Sequence, residues 1–424
     1  MRIVVHGGQP LKGTLQPSGN SNAALALLAA ALLTDAPVTL QRVPDTSGVA
    51  TLIDAIQSLG TTITRDGDTV QLHTPALHTR DLDQAVTGGQ VSLVLLLAPI
   101  LARRRHARLE IDYPLSRLHT HLNALRDLGV SIRSSAGVID FQAEPWDKRE
   151  IVLLQTSVTA TAITSMLAAA LGRETIIRNA ASEPHVQDLL LMLTAMGARI
   201  AGIGSNVLHI HGQQGKEQLG GATVQLSPDH IEIASFAAIG AITGGSLSIE
   251  GVVPAHLSFI ARVFARLGMN LYFNGDTLFL PTHENLIASQ SEEELDLPID
   301  TAPWPGFPSD LVAMATVVAT QARGTTLFHE KMFDTRLLFV DKLTSMGAQI
   351  VLCDPHRAIV VGPTKLRGEY LDTPDVRTGL ALLGAALCAE TSVTIDNAQL
   401  IDRSFENVIG KLVSVGAQIE VVQP

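Results

Sequence analysis

Met346-Gly347-Ala348-Gln349-Ile350 reads as a helix end, a glycine and the start of a strand. Gly is the expected residue just past a helix, because it enters the left-handed conformation without steric cost. Strings of the same kind return as Leu59-Gly60-Thr61-Thr62-Ile63, Leu128-Gly129-Val130-Ser131-Ile132, Met196-Gly197-Ala198-Arg199-Ile200, Leu267-Gly268-Met269-Asn270-Leu271 and Val415-Gly416-Ala417-Gln418-Ile419. Their spacing, about 70–80 residues, exceeds solenoid periods of about 20–45, so each copy belongs to a small α/β module.

Each module also carries an Ala-rich helix followed by a strand, as in Thr159–Leu171 before Thr175-Ile176-Ile177 and Ile231–Thr243 before Ser246-Leu247-Ser248-Ile249. Helices with so little charge must be buried nearly all round. The module therefore reads as buried helix, strand, amphipathic helix and two strands. The last copy stops after Ile419-Glu420-Val421-Val422 without a closing strand, and Ile3-Val4-Val5 is a strand with no module of its own. Pairing the two ends gives three modules in a discontinuous domain (1–20 plus 228–424) and three in an inserted domain (21–227). The chain then crosses between domains near Ser18–Asn22 and Ser227–His230, and a ligand cleft is expected at that junction.

The chain has 424 residues, 46% apolar and 17% charged, which supports at least two well-buried domains. Aromatics are only 4%, so the cores are aliphatic. A net charge of −11 and a pI near 5.7 argue against nucleic-acid binding. The two cysteines, Cys353 and Cys388, lie in apolar contexts and fit a reducing compartment. The longest apolar runs, Ala23–Leu33 and Leu93–Ala102, fall short of the roughly 20 residues of a membrane span, and no signal-peptide core precedes them. A cytoplasmic protein is expected.

Three pseudo-repeats in each of two domains, with a discontinuous N-terminus, resemble the enolpyruvyl transferases. The branch acting on UDP-N-acetylglucosamine is nearer than the shikimate-pathway branch. The stretches that carry the resemblance are Ser18-Gly19-Asn20-Ser21-Asn22-Ala23-Ala24-Leu25, Thr301-Ala302-Pro303-Trp304-Pro305-Gly306-Phe307-Pro308-Ser309-Asp310, Phe333-Asp334-Thr335-Arg336, Asp375-Val376-Arg377 and Ile401-Asp402-Arg403. The resemblance implies a two-domain inside-out α/β barrel of six βαβαββ repeats. It also implies transfer of the enolpyruvyl group of phosphoenolpyruvate to the 3-hydroxyl of a UDP-sugar. Small-molecule substrates are thus expected, with no cofactor, metal or nucleic acid.

By the same resemblance Asp310 is the base near the sugar hydroxyl, and Arg377 and catalytic Arg403 face phosphoenolpyruvate. Asn22, with Ser21 beside it, touches the sugar. Ser157, Val158 and Thr159 open a buried helix that receives the diphosphate, which suits a helix N-terminus. His121 and Met332 join the substrate-binding set.

The departures are specific. The family has Lys where this chain has Ser21, and Arg in the stretch matching Gly88-Gly89-Gln90-Val91-Ser92, where none occurs. No charged residue stands between Lys12 and Asp35. The family's mobile loop, with its catalytic Cys and an Arg-Pro, corresponds to Asp112–His121, which lacks Cys. Asp112 is the stand-in for the Cys and Arg117 for the loop Arg. Loss of one positioned cation typically costs about 3–4 kcal/mol in transition-state stabilisation. An active transferase, a relative using another acceptor, and a binding protein that has lost the chemistry all stay open.

Competing readings attach to the remaining polar residues. Asp310 is also placed to stabilise a helix N-terminus. Arg403 neighbours Asp402 and Glu406, a potential surface ion pair, and Arg336 reads as structural support beside Asp334. His119 and His121 are spaced as on one strand face, as are His209 and His211, but two ligands do not make a metal site. Arg103-Arg104-Arg105-His106 ends an apolar helix and reads as capping. Ser289–Asp296 reads as a solvated acidic linker.

Overall fold

All six glycines of the repeated string close a helix in the same way. Their φ angles lie between +81° and +111°. At Gly60, for example, the glycine N–H donates to Gln57 O at 3.0 Å and the next N–H, of Thr61, to Ile56 O at 3.2 Å. The same pair of bonds recurs at Gly129, Gly197, Gly268, Gly347 and Gly416, so each amphipathic helix ends in a Schellman motif before turning into a strand.

The computed structural model describes residues 1–83, 91–135, 137–288 and 298–422. It divides into two compact units, residues 1–18 with 228–424 and residues 19–227. The stretch Gly88–Gln90 and the expected linker Ser289–Asp296 lie outside the described residues.

In the unit of residues 19–227, Trp146–Val152, Gly172–Arg178, Val207–His211 and Arg199–Ala201 form one four-stranded sheet in that spatial order. The first two strands run parallel because the helix Val158–Leu171 carries the chain between them, and the other pairings are antiparallel. Two further sheets repeat the order, and the opening strand of one of them, Thr223–Gln225, comes from the end of the unit and lies parallel to Val38–Gln41. The helices Ser21–Ala31, Leu97–Arg104 and Val158–Leu171 pack on one another inside, among the buried residues of a single core.

The unit of residues 1–18 and 228–424 has three more four-stranded sheets around the helices His230–Ile242, Val312–Gln321 and Val376–Leu387. Every residue of His230–Ile242 is buried. Lys12–Leu15 runs parallel to Ser246–Glu250, and Arg2–His6 lies between Val393–Asp396 and Gln418–Val422, with Ile3 opposite Ile395 on one side and Val421 on the other. The architecture is two-domain and α/β, with helices inside and sheets outside in each unit. Among the described residues the six sheets remain separate and none closes into a barrel. No described helix is long and apolar enough to cross a membrane.

Where a central strand leaves its sheet it passes the carbonyl end of a buried helix, and the contact has no room for a side chain. A Cβ at Gly7 would come within 2.4 Å of Ala389 O and 2.5 Å of Ala386 O, and one at Gly362 within 2.3 Å of Ala322 O. Backbone cannot yield as a side-chain tip can. Gly7→Ala is expected to cost about 1–3 kcal/mol by overpacking, read as a lower urea midpoint at unchanged m-value.

Candidate functional site

The helices His230–Ile242, Val312–Gln321 and Val376–Leu387 bring their N-termini to one end of their unit. Asp229 caps the first, accepting from Ile231 N–H at 2.9 Å and Glu232 N–H at 3.3 Å. A single 3-10 turn, Ser309–Leu311, leads into the second. Asp375 caps the third, accepting from Arg377 N–H at 3.0 Å and Thr378 N–H at 3.1 Å. A convergence of N-termini favours negative charge, and three acidic side chains gather there.

Asp310 lies between two guanidinium groups. Arg377 Nη2 donates to Asp310 Oδ2 at 3.1 Å, and Arg377 Nε stands 3.1 Å from Oδ1. Arg336 Nη2 is also 3.1 Å from Oδ1, and its guanidinium lies 4.8 Å from the centre of the Phe333 ring. The Asp310 charge holds the Arg377 guanidinium above its ordinary pKa, against the opposing effect of burial. Asp310 and Arg377, two expected site residues, are therefore in direct contact. Arg336, expected only to support Asp334, instead completes an Arg–Asp–Arg cluster on Asp310.

Glu330 fixes the loop that delivers Asp310. It is fully buried and accepts from Thr301 Oγ1 at 2.8 Å, Ser309 Oγ at 2.7 Å, Met332 N–H at 2.7 Å and Phe333 N–H at 3.1 Å. Four donors on one carboxylate tie both ends of Thr301–Ser309 to the segment carrying Met332. Met332 thus sits beside the cluster through its backbone.

A second network surrounds the end of the N-terminal segment. Ser18 N–H donates to Glu232 Oε2 at 2.8 Å, Ser18 Oγ donates to Glu406 Oε2 at 2.6 Å, and Lys411 Nζ contacts both Ser18 Oγ and Glu232. Glu232 is almost wholly buried, and burial raises its pKa while Lys411 opposes the rise. Glu406 is committed to Ser18, so the surface pair expected with Arg403 does not form. Arg403 is exposed, ends the 3-10 turn Ala398–Arg403 and makes no ion pair among the described residues. An exposed, unneutralised guanidinium is what an anionic ligand requires.

In the unit of residues 19–227, Asn20 caps Ser21–Ala31 by accepting from Ala23 N–H at 3.0 Å. Ser21 is buried and Asn22 half-buried in the first turn. Ser157 caps Val158–Leu171, accepting from Ala160 N–H at 3.3 Å, with Val158 and Thr159 half-buried beside it. His121 joins this helix start, its Nε2 2.6 Å from Thr159 Oγ1. Burial lowers its pKa to about 4, so the ring is neutral at pH 7.

Asp112 and Arg117 are both exposed, and the structure does not bring either onto the Thr159–His121 pair by any hydrogen bond. His119 and His121 do not share a strand face; they begin the helix His119–Asp127, because the polar run after Leu118 continues into the apolar spacing of Leu122 and Leu125. His209 and His211 are on the outer face of Val207–His211, whose inner face carries Leu208 and Ile210. Cys353 is likewise exposed despite its apolar neighbours, because Gln349–Asp354 is the edge strand of its sheet and Val351 and Leu352 beside it are exposed too. Cys388 follows the buried helix Val376–Leu387, and burial pushes its thiol up to about 12. Among the described residues no three His, Cys, Asp or Glu side chains gather as a metal site.

Residues 5–412 match the family model for EPSP synthase (3-phosphoshikimate 1-carboxyvinyltransferase). The chain belongs to this family, the enolpyruvyl transferases. Within it, the chain is 41% identical over 427 aligned residues to the UDP-N-acetylglucosamine 1-carboxyvinyltransferase of Bradyrhizobium diazoefficiens, covering 100% of this chain and 98% of the relative. It is 38% identical to the protein of that name from Borreliella burgdorferi, covering 99% of each. Among solved structures, the enolpyruvyl transferase NikO from Streptomyces tendae superposes with a TM-score of 0.89 at 24% identity, covering 100% of this chain and 99% of that one. EPSP synthase from Acinetobacter baumannii gives 0.75 at 17% identity, with full coverage of both. At these identities the two structures speak for the fold.

Asp229 yields a test by pH. Burial, and then the charge of Glu232, raise its pKa from the usual 3.8 to about 7. A carboxyl that holds its proton more tightly when folded contributes stability below pH 4, and that contribution is lost as pH rises through 7. Asp229→Asn keeps a capping acceptor and removes the titration. The variant is expected to gain stability relative to the native protein between pH 4.5 and 7.5, measured by urea unfolding at both pH values; a pH-independent difference would contradict the assignment.

Proposed function

We infer that the protein transfers the enolpyruvyl group of phosphoenolpyruvate to the 3-hydroxyl of a UDP-sugar, UDP-N-acetylglucosamine, and releases inorganic phosphate. The observation that carries this reading is the Asp310 carboxylate, held between Arg336 and Arg377 where three helix N-termini meet. It joins a proton acceptor to cationic groups, and the full-length relatives are named for this reaction. In that family the activity serves peptidoglycan biosynthesis, and its substrates are cytoplasmic metabolites, which supports a cytoplasmic assignment.

The reaction adds the sugar hydroxyl oxygen to C2 of phosphoenolpyruvate while a proton arrives at the C3 methylene. The resulting tetrahedral adduct then loses phosphate and a C3 proton. It needs a base, an acid and cations for a phosphate and a carboxylate. In our reading Asp310 takes the hydroxyl proton, and Arg377 and exposed Arg403 hold the acid substrate. Ser21 and Asn22 meet the sugar, and the helix start at Ser157, Val158 and Thr159, with His121, takes the diphosphate. Arg117 supplies loop charge, Met332 lines the sugar side, and Asp112 protonates the methylene carbon.

A second reading rests on a specific observation: Ser21 stands where the family has Lys, and Asp112–His121 has no Cys. It is a nucleotide-sugar-binding relative without turnover. Phosphate release from phosphoenolpyruvate with UDP-N-acetylglucosamine, together with mass detection of the enolpyruvyl ether, separates the two. Product supports the first reading; binding of the UDP-sugar without product establishes the second. Loss of a general base lowers rates by about 10²–10⁴-fold, so Asp310→Ala is expected to reduce kcat by that order with the far-UV circular dichroism unchanged. Unchanged turnover would remove Asp310 from the mechanism.

A further inference from the structure

The run Arg103-Arg104-Arg105 closes the helix Leu97–Arg104, but its three guanidinium groups do different work. Arg103 caps a neighbouring helix end. Its Nη1 donates to Leu32 O at 3.3 Å, Thr34 O at 3.2 Å and Thr74 O at 2.8 Å, and its Nη2 to Pro75 O at 2.8 Å. Arg104 donates to Leu77 O. Arg105 has no such acceptor, and its Nη1 is buried without a hydrogen-bond partner among the described residues. Buried guanidinium donors without acceptors are rare in folded proteins.

The backbone at Arg105 is also unusual. It ends its helix at φ +62°, the left-handed position that glycine fills at the six amphipathic helix ends. A long side chain held there against its conformational preference points to a use for that side chain. Across from it, Gly215 lies so close that a Cβ would come within 2.4 Å of Arg105 Nη2. The guanidinium thus packs closely against backbone that carries no side chain.

These groups line a cavity of about 460 Å³ within the unit of residues 19–227. The ends of three buried helices meet at it, marked by Leu33, Ala102 and Ala170. Arg104, Arg105 and Lys216 supply positive charge; Glu217 is the one carboxylate among the lining residues. Glu144 lies near enough to influence Arg105, and Asp35 to influence Arg103. Leu33, Leu77 and Leu219 form an apolar wall. The 14-residue helix Val158–Leu171 separates this end from Ser157 by about 20 Å at 1.5 Å per residue.

We propose that this cavity is a second ligand site, binding a small molecule that carries a phosphate or carboxylate on a compact apolar body. The anion meets the guanidinium groups of Arg105 and Arg104 together with Lys216, while the apolar body lies on the leucine wall. The site is independent of the substrate residues at the opposite helix ends.

Phenyl phosphate is a suitable probe, with benzyl alcohol as the uncharged control. Isothermal titration of the full-length protein at low salt is expected to show phenyl phosphate binding, no comparable binding of benzyl alcohol, and weakening with added salt. Binding is expected to persist in Arg403→Ala and to fall at least 10-fold in Arg105→Gln. Lys216→Gln, on an exposed loop, is expected to weaken it several-fold and carries the test should Arg105→Gln not fold. The proposal is overturned if phenyl phosphate fails to bind at 10 mM, if benzyl alcohol binds equally, or if binding survives Arg105→Gln or Lys216→Gln unchanged. Loss of binding in Arg403→Ala alone would place the anion at the catalytic residues and overturn it equally.

Discussion

A helix without a polar face cannot lie on a surface, and six such helices organise this protein. His230–Ile242, Val158–Leu171 and Val376–Leu387 have no exposed residue. Each must be enclosed on all sides, which three mutually packed helices and their surrounding sheets achieve. Enclosure also determines where polar chemistry can occur. Along such a helix the backbone bonds are satisfied internally, and only its ends present free N–H and C=O groups. Asp310, Arg377, Asn22 and Ser157 are therefore all found at helix starts, and Arg103–Arg105 at a helix end.

That arrangement explains what could be read from the residues alone. The glycine at each amphipathic helix end is a local signal, because the φ it adopts depends on a few neighbouring residues. The fold class and the buried helices followed from such signals. The Thr301–Asp310 run was likewise visible as a string, and it leads to the carboxylate between two guanidinium groups.

The supporting carboxylates were not visible, because their partners are distant in the chain. Glu330 accepts from Thr301 and Ser309 across 29 and 21 residues. Lys411 reaches Ser18 over 393 residues. A glutamate after a strand and a lysine on a short helix look like ordinary surface residues until the fold buries or pairs them. The strand reading of His119 and His121 failed for the complementary reason: two alternating residues are too few to distinguish a strand from a helix start. Asp310 with Arg377 was brought together across 67 residues by two adjacent helix starts, a coincidence that spacing alone does not encode.

The central place of Arg2–His6 in its sheet has a consequence for synthesis. Both neighbouring strands, Val393–Asp396 and Gln418–Val422, are made long after it. At about 5–20 residues per second, the first strand waits roughly 20–80 s for them. Residues 19–227, which contain all the strands of their own three sheets, emerge in the meantime and can fold as a unit. The nascent chain thus carries an apolar, unpaired N-terminal segment past a finished domain, and its protection during that interval falls to whatever chaperones meet it at the ribosome.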